Sequence, residues 1–105
     1  MLILPGAAAL SPFRLQRLHA RLGGDTAGIR TIAARFVHFV DGEIDQHARE
    51  RLERLLEYGP RRAAVDERGT LFIVVPRPGT LSPWSSKATD IAHNAGLSTV
   101  RRVER

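Results

Sequence analysis

The side chains best able to do chemistry in this 105-residue chain are concentrated in one stretch, PRPGTLSPWSSKATDIAHN, residues 76–94. A proline-stiffened glycine loop leads there into a helix start, with hydroxyls from Thr80, Ser82, Ser85 and Ser86 and cations from Arg77 and Lys87. Unpaired N–H groups and the positive end of the helix dipole make such a start suit a phosphate or carboxylate. Lys87 is the single lysine beside fifteen arginines, as a compact point charge would be, though one lysine must sit somewhere. Trp84 opens the helix as a packing residue or an anchor for a neighbouring domain. We therefore take Arg77, Thr80, Ser82, Trp84, Ser85, Ser86 and Lys87 as candidates for anion binding or interdomain contact. Catalytic and metal-ligating residues are not expected.

Familiar reaction motifs do not fit this stretch. A P-loop needs Gly before its lysine and Ser or Thr after it, whereas Ser86 and Ala88 flank Lys87. In an S-x-x-K site the nucleophile stands three residues before the lysine, where this chain has Trp84. Asp90, His93 and Asn94 share a helix face at i, i+3 and i+4, but no matching cluster elsewhere completes a metal site. His38 lies inside an apolar run and reads as a hydrogen-bonded core histidine. His19 and His47 sit on charged helix faces. With no cysteine in the chain, disulfides, thiolate metal sites and a thiol nucleophile are excluded.

Positioning these groups falls to alternating helices and strands. Ser11 caps and Pro12 opens a first helix over 12–22, with Leu15, Leu18 and Leu22 on one face, a staple from Leu10 to Leu15, and Gly23-Gly24 as its stop. Phe36-Val37-His38-Phe39-Val40 reads as a strand buried on both faces, followed by a turn at Asp41-Gly42. Asp45 caps a second helix with Ala48, Leu52, Leu55 and Leu56 inward, ended by Gly59-Pro60. After a turn signal over 66–69, Leu71-Phe72-Ile73-Val74-Val75 reads as another covered strand. Ser82-Pro83 launches a third helix with Trp84, Ala88, Ile91 and Ala92 inward, closed by Gly96. Residues 99–105 are extended, anchored by Val100 and Val103. The pattern is that of an α+β domain, layered with helices on one side of a small sheet. Two strands apolar on both faces would leave the other side needing a cover, from a neighbouring domain or from self-association.

Composition narrows the setting. Hydrophobic residues make up 43% and charged residues 26%, the balance of a single soluble globular domain. No stretch approaches the ~20 apolar residues that span a bilayer, and the apolar start lacks the basic flank of a signal peptide; we expect a cytoplasmic protein. A net charge of +5 raises nucleic acid as a partner. Arg49, Arg51 and Arg54 alternate with Glu50, Glu53 and Glu57, however, as on a solvated, ion-paired helix face. Six aromatics without RNP-type alternation also speak against RNA.

The run SPWSSKAT within residues 76–94, then Gly96-Leu97 and VRRVER at 100–105, closely resembles the N-terminal region of the long-chain phosphoribosylformylglycinamidine synthases, the PurL family. Leu4-Pro5-Gly6, Leu10-Ser11, Phe13-Arg14-Leu15 and the strand at 36–40 match it as well. Ala95 departs from it, standing where members often have cysteine. The resemblance implies a PurS-like domain, residues 1–105, expected to be cut short at its C-terminal end. It implies a longer parent ligase that uses ATP, magnesium and glutamine-derived ammonia, with the cofactor and catalytic residues beyond position 105 and no cofactor in this chain. The implied partners are the synthetase and glutaminase domains, held in register around the ammonia path, while the fragment alone is inactive. Two alternatives stay open on the residues: a free-standing basic α/β module for RNA or nucleotides, and a separate PurS-like scaffold subunit.

Overall fold

The structure is a computed structural model that describes residues 1–58 and 69–105. Its elements run β1 (Leu2–Ala8), α1 (Pro12–Arg21), β2 (Arg35–Gly42), α2 (Gln46–Leu55), α3 (Pro83–Asn94) and β3 (Val100–Glu104). The strands form one antiparallel sheet in the order β1-β2-β3. This is the small α+β domain expected. Each helix starts as its sequence dictates: the side chains of Ser11, Asp45 and Ser82 accept from the backbone N–H of Arg14, Ala48 and Ser85, satisfying donors that a helix start leaves unpaired.

Alternation along β2 directs His38 and Val40 inward, both 0% exposed. They join Leu4 of β1, Val100 and Val103 of β3, Ala48 and Leu52 of α2, and Ala92 and Leu97 at α3 in one core. The opposite face pairs Ile3 with Phe39 and Pro5 with Val37, and there Ile3 is exposed while Val37 and Phe39 are half-buried. So β2 is buried on one face, not on two.

Three other expectations are corrected. Residues 2–8, read from the sequence only as an apolar start without a signal's basic flank, form β1. Asp41-Gly42 does not turn the chain; β2 continues through it, with an irregularity where Asp41 pairs with Arg102 and Gly42 with Val100. Residues 71–75 are not a covered strand: among the described residues they have no strand partner, and they are between 60% and 92% exposed. Apolar, β-branched composition gives a segment strand propensity, but a strand also needs an edge to pair with. The expected helix stop at Gly59-Pro60 and most of the turn signal over 66–69 lie outside the described residues.

Gly42 is held by its surroundings as well as by its backbone, since at φ 149° a Cβ there would collide with the Thr99 carbonyl. Gly42→Ala should therefore cost about 1–3 kcal/mol through strain. Nothing lies within 4 Å of a Cβ at Gly69, so Gly69→Ala should stay within about 0.5 kcal/mol of the parent. Thermal melts of the two variants would test this, and equal melting temperatures would contradict it.

Candidate functional site

The stretch at 76–94 divides between two tasks. Arg77 begins a tight turn in which Pro78 and Gly79, at φ 80°, occupy the second and third positions, the arrangement of a type II turn. The Thr80 N–H donates to the Arg77 carbonyl at 3.1 Å and its hydroxyl to the same oxygen at 2.5 Å. Past this turn Ser82, Ser85, Thr89 and His93 line one face of α3, spaced three and four apart. All four reach toward β3.

The Ser85 hydroxyl, fully buried, donates to the Val103 carbonyl at 2.5 Å. The Val103 N–H donates to the Thr89 hydroxyl at 3.1 Å, and that hydroxyl donates back to the Ser85 carbonyl at 2.8 Å. His93 Nε2 donates to the Val100 carbonyl at 2.6 Å. A strand edge leaves such groups unpaired, and here side chains of a helix satisfy them. At the helix start, the Ser82 hydroxyl caps Ser85 and donates to the Glu104 carboxylate at 2.8 Å. Arg102 grips the same carboxylate at 2.7 Å and donates to the Thr80 carbonyl at 3.1 Å. Burial by itself would raise the Glu104 carboxyl, but the hydrogen bonds from Arg102 and Ser82 outweigh it and hold the group below its ordinary value.

Trp84 works beside this edge. Its ring stacks on His38, centroids 5.7 Å apart, and the Arg105 guanidinium lies 4.6 Å from the Trp84 centroid and 4.2 Å from that of Phe36, within cation–π range. Arg105 also donates to the Tyr58 hydroxyl at 3.2 Å, which lies 2.8 Å from His38 Nε2. The Tyr58 oxygen thus meets both the Arg105 guanidinium and the His38 ring. The other ring nitrogen, His38 Nδ1, is buried without a hydrogen-bond partner among the described residues. Burial, then the charge of Arg105, lower the His38 pKa, and the Leu4 backbone opposes them less strongly. Gly6 makes room for the ring, since a Cβ there would come within 2.7 Å of the imidazole. His38 is thus the hydrogen-bonded core histidine anticipated, and it links β1, β2 and α3 with Tyr58, which follows α2.

The structure thereby places Ser82, Trp84 and Ser85 in internal contacts and Thr80 in the turn. Arg77, Ser86 and Lys87 are exposed. Lys87 stands at the rim of a groove of about 270 Å³ between α2 and α3, with Leu55, Trp84 and Ile91 among its walls. Sequence reasoning missed Thr89, Arg102, Glu104 and Arg105; the i, i+4, i+8 spacing of Ser85, Thr89 and His93 was the signal available. His93 was considered only with Asp90 and Asn94, and among the described residues no three His, Asp or Glu side chains gather as a metal site would require. Nor is any helix among those residues long and apolar enough to cross a membrane.

Fold and site together define a small α+β packing domain whose most specific helix closes a sheet edge. The family model for the N-terminal region of formylglycinamide ribonucleotide amidotransferase matches residues 35–105, more than half of the chain, and the chain belongs to that family. Membership makes it a domain of an amidotransferase of purine biosynthesis. β1 and α1 precede the matched stretch.

The edge contacts give a first test. Thr89→Val keeps the shape but strips the Val103 N–H of its acceptor, which should cost about 1–3 kcal/mol. Thr89→Ser should restore most of the loss; indistinguishable melts for the two variants would mean the bond contributes nothing. A second test uses pH. The folded state disfavours protonated His38, so below the unfolded pKa of about 6.5 the unfolded chain binds the proton more readily. Stability contributed this way is fully present above pH 6.5 and declines as pH falls through the lower folded value. Melting temperature should drop over that window, and the drop should be shallower in His38→Gln; equal slopes would remove His38 as the cause.

Proposed function

We propose that the chain is the assembly domain of its parent amidotransferase, holding the synthetase and glutaminase domains in register and helping to enclose the ammonia path. On this reading the chain has no turnover by itself, and ATP and magnesium are held elsewhere in the parent. The observation that carries it is the division of labour in α3: one face is fixed to β3 by Ser82, Ser85, Thr89 and His93, while Arg77, Ser86 and Lys87 stay exposed. Pro76, Pro78 and Pro83 stiffen the approach, so little ordering entropy opposes a partner that docks on those exposed side chains. The sheet face with Ile3, Val37 and Phe39 offers a second apolar surface to the rest of the parent.

Lys87→Ala in the intact enzyme tests this reading. Removing an exposed lysine should change stability by less than about 0.5 kcal/mol. Glutamine-dependent turnover should fall clearly, while turnover with added ammonia, which needs no path from the glutaminase, should be retained. Unchanged turnover with both nitrogen sources would leave Lys87 an ordinary surface residue and count against the interface.

A further inference from the structure

Of the three helices among the described residues, α1 has an outward side that meets nothing in the domain. Its inner side is held: Leu15, Leu18 and His19 are half-buried, and His19 Nε2 donates to the Ile29 carbonyl at 2.7 Å. Gly24 lies so close that a Cβ there would come within 2.8 Å of the imidazole. This anchoring fixes which residues face out. At about 100° per residue, Phe13, Arg14, Arg17 and Arg21 share an arc of about 100° that holds none of the inner three. Phe13 is 66% exposed, and the three arginines are exposed with it. The Arg17 guanidinium lies 5.8 Å from the Phe13 ring centroid.

Local helix chemistry does not favour such a face. α1 has no acidic residue, whereas α2 sets Glu50 and Glu53 among its arginines and α3 carries Asp90. Like charges three and four apart, Arg14 with Arg17 and Arg17 with Arg21, weaken an isolated helix, and Arg14 stands near the end where the dipole opposes a cation. Arg49, Arg101 and Arg102 meet carboxylates of the domain; among the described residues Arg14, Arg17 and Arg21 form no ion pair. Residues at odds with their own helix are accounted for by a partner.

We propose that this face docks on an acidic surface of another domain of the parent amidotransferase, its arginines meeting Asp or Glu carboxylates and Phe13 entering an apolar notch beside them. Charge sets the chemistry, because the planar fork of a guanidinium matches a carboxylate. An aromatic ring flanked by arginine is also the composition enriched at protein interfaces and their hot spots. Family membership sets the source: the chain is a domain of a larger enzyme, so its tethered neighbours are protein. A nucleic acid fits less well, since a single ring offers no succession of stacking platforms beside the charges. The proposal rests on the reading that the chain packs against the other domains of its parent, and it adds a second surface and a partner chemistry to the Lys87 side.

In the intact enzyme, Arg17→Lys and Arg21→Lys keep the charge and supply a primary amine that a carbodiimide joins directly to a contacting carboxylate. Peptide mapping should place the new bond on an Asp or Glu beyond residues 1–105 of the same enzyme molecule. Hydroxyl-radical labelling of the unsubstituted enzyme should oxidise Phe13 about tenfold more slowly than in a synthetic peptide of residues 9–18. Crosslinks confined to residues 1–105, or Phe13 labelled at the rate of the peptide, overturn the proposal. Protection of Phe13 with no carboxylate captured means a neutral partner and overturns it too. A crosslink between two enzyme molecules assigns the face to a second copy, and protection that appears only with an added oligonucleotide assigns it to nucleic acid; each does the same. The Lys87→Ala comparison reads turnover instead, so a clear loss of glutamine-dependent turnover there beside these negative results would retain the assembly reading and move its interface off α1.

Discussion

The closure of β3 by side chains of α3 is the constraint on which the rest of the structure depends. It works because two periodicities agree: four residues of helix advance about 6 Å, and two residues of strand advance about 6.6–6.8 Å. A helix lying antiparallel along a strand edge can therefore meet that edge repeatedly with one face. Ser82 reaches Glu104, Ser85 and Thr89 reach Val103, and His93 reaches Val100. Small hydroxyls suit the positions where the helix lies closest, and the longer imidazole serves at the far end. Larger apolar side chains would leave the strand's N–H and C=O groups buried without partners, at a cost of about 1–3 kcal/mol each.

Fixing α3 in this way also fixes what precedes and follows it. Trp84, one residue before the buried Ser85, is directed onto His38, and Arg105, one residue after Glu104, is directed across Trp84 and Phe36 to Tyr58. The aromatic cluster thereby ties the end of the α2 region to the start of α3 through a histidine at the middle of the sheet. Gly6 completes the arrangement from β1, where any side chain would strike the imidazole. Residues that look unrelated in sequence, Gly6, His38, Tyr58, Trp84 and Arg105, form one continuous contact.

Much of this was legible in advance wherever local chemistry decides local structure. Ser11-Pro12, Asp45 and Ser82-Pro83 announce helix starts because a short polar side chain and a proline act within a few residues of themselves. Gly96 likewise ends α3 with φ 87°. β1 was not legible, because Leu-Ile-Leu-Pro-Gly carries a proline and a glycine that argue against a strand unless it is known to be an edge beside a histidine ring. Residues 71–75 misled for the converse reason: propensity is a property of the segment, while pairing is a property of its neighbours. The candidate site was legible as a dense stretch of polar residues but not in its use. Serines at a helix start are equally suited to an external anion and to an internal strand edge, and only the position of β3 distinguishes the two.

That ambiguity is narrowed by Glu104. A helix start attracts negative charge, and here a carboxylate of the same chain, gripped by Arg102, already accepts from the capping Ser82. An outside anion at that point would have to displace a group that is covalently tethered and accepts three hydrogen bonds, from Ser82, Arg102 and the Arg105 N–H. The seven candidate residues therefore form two sets with different opportunities. Ser82, Trp84 and Ser85 shape the domain, whereas Arg77, Ser86 and Lys87 are exposed and available to a neighbour. Thr80 joins the sets, because its hydroxyl closes the turn that begins at Arg77 while its carbonyl receives Arg102. Any partner recognised by Arg77 and Lys87 thus meets a surface whose backbone is fixed from behind by the same carboxylate-centred network that closes the sheet.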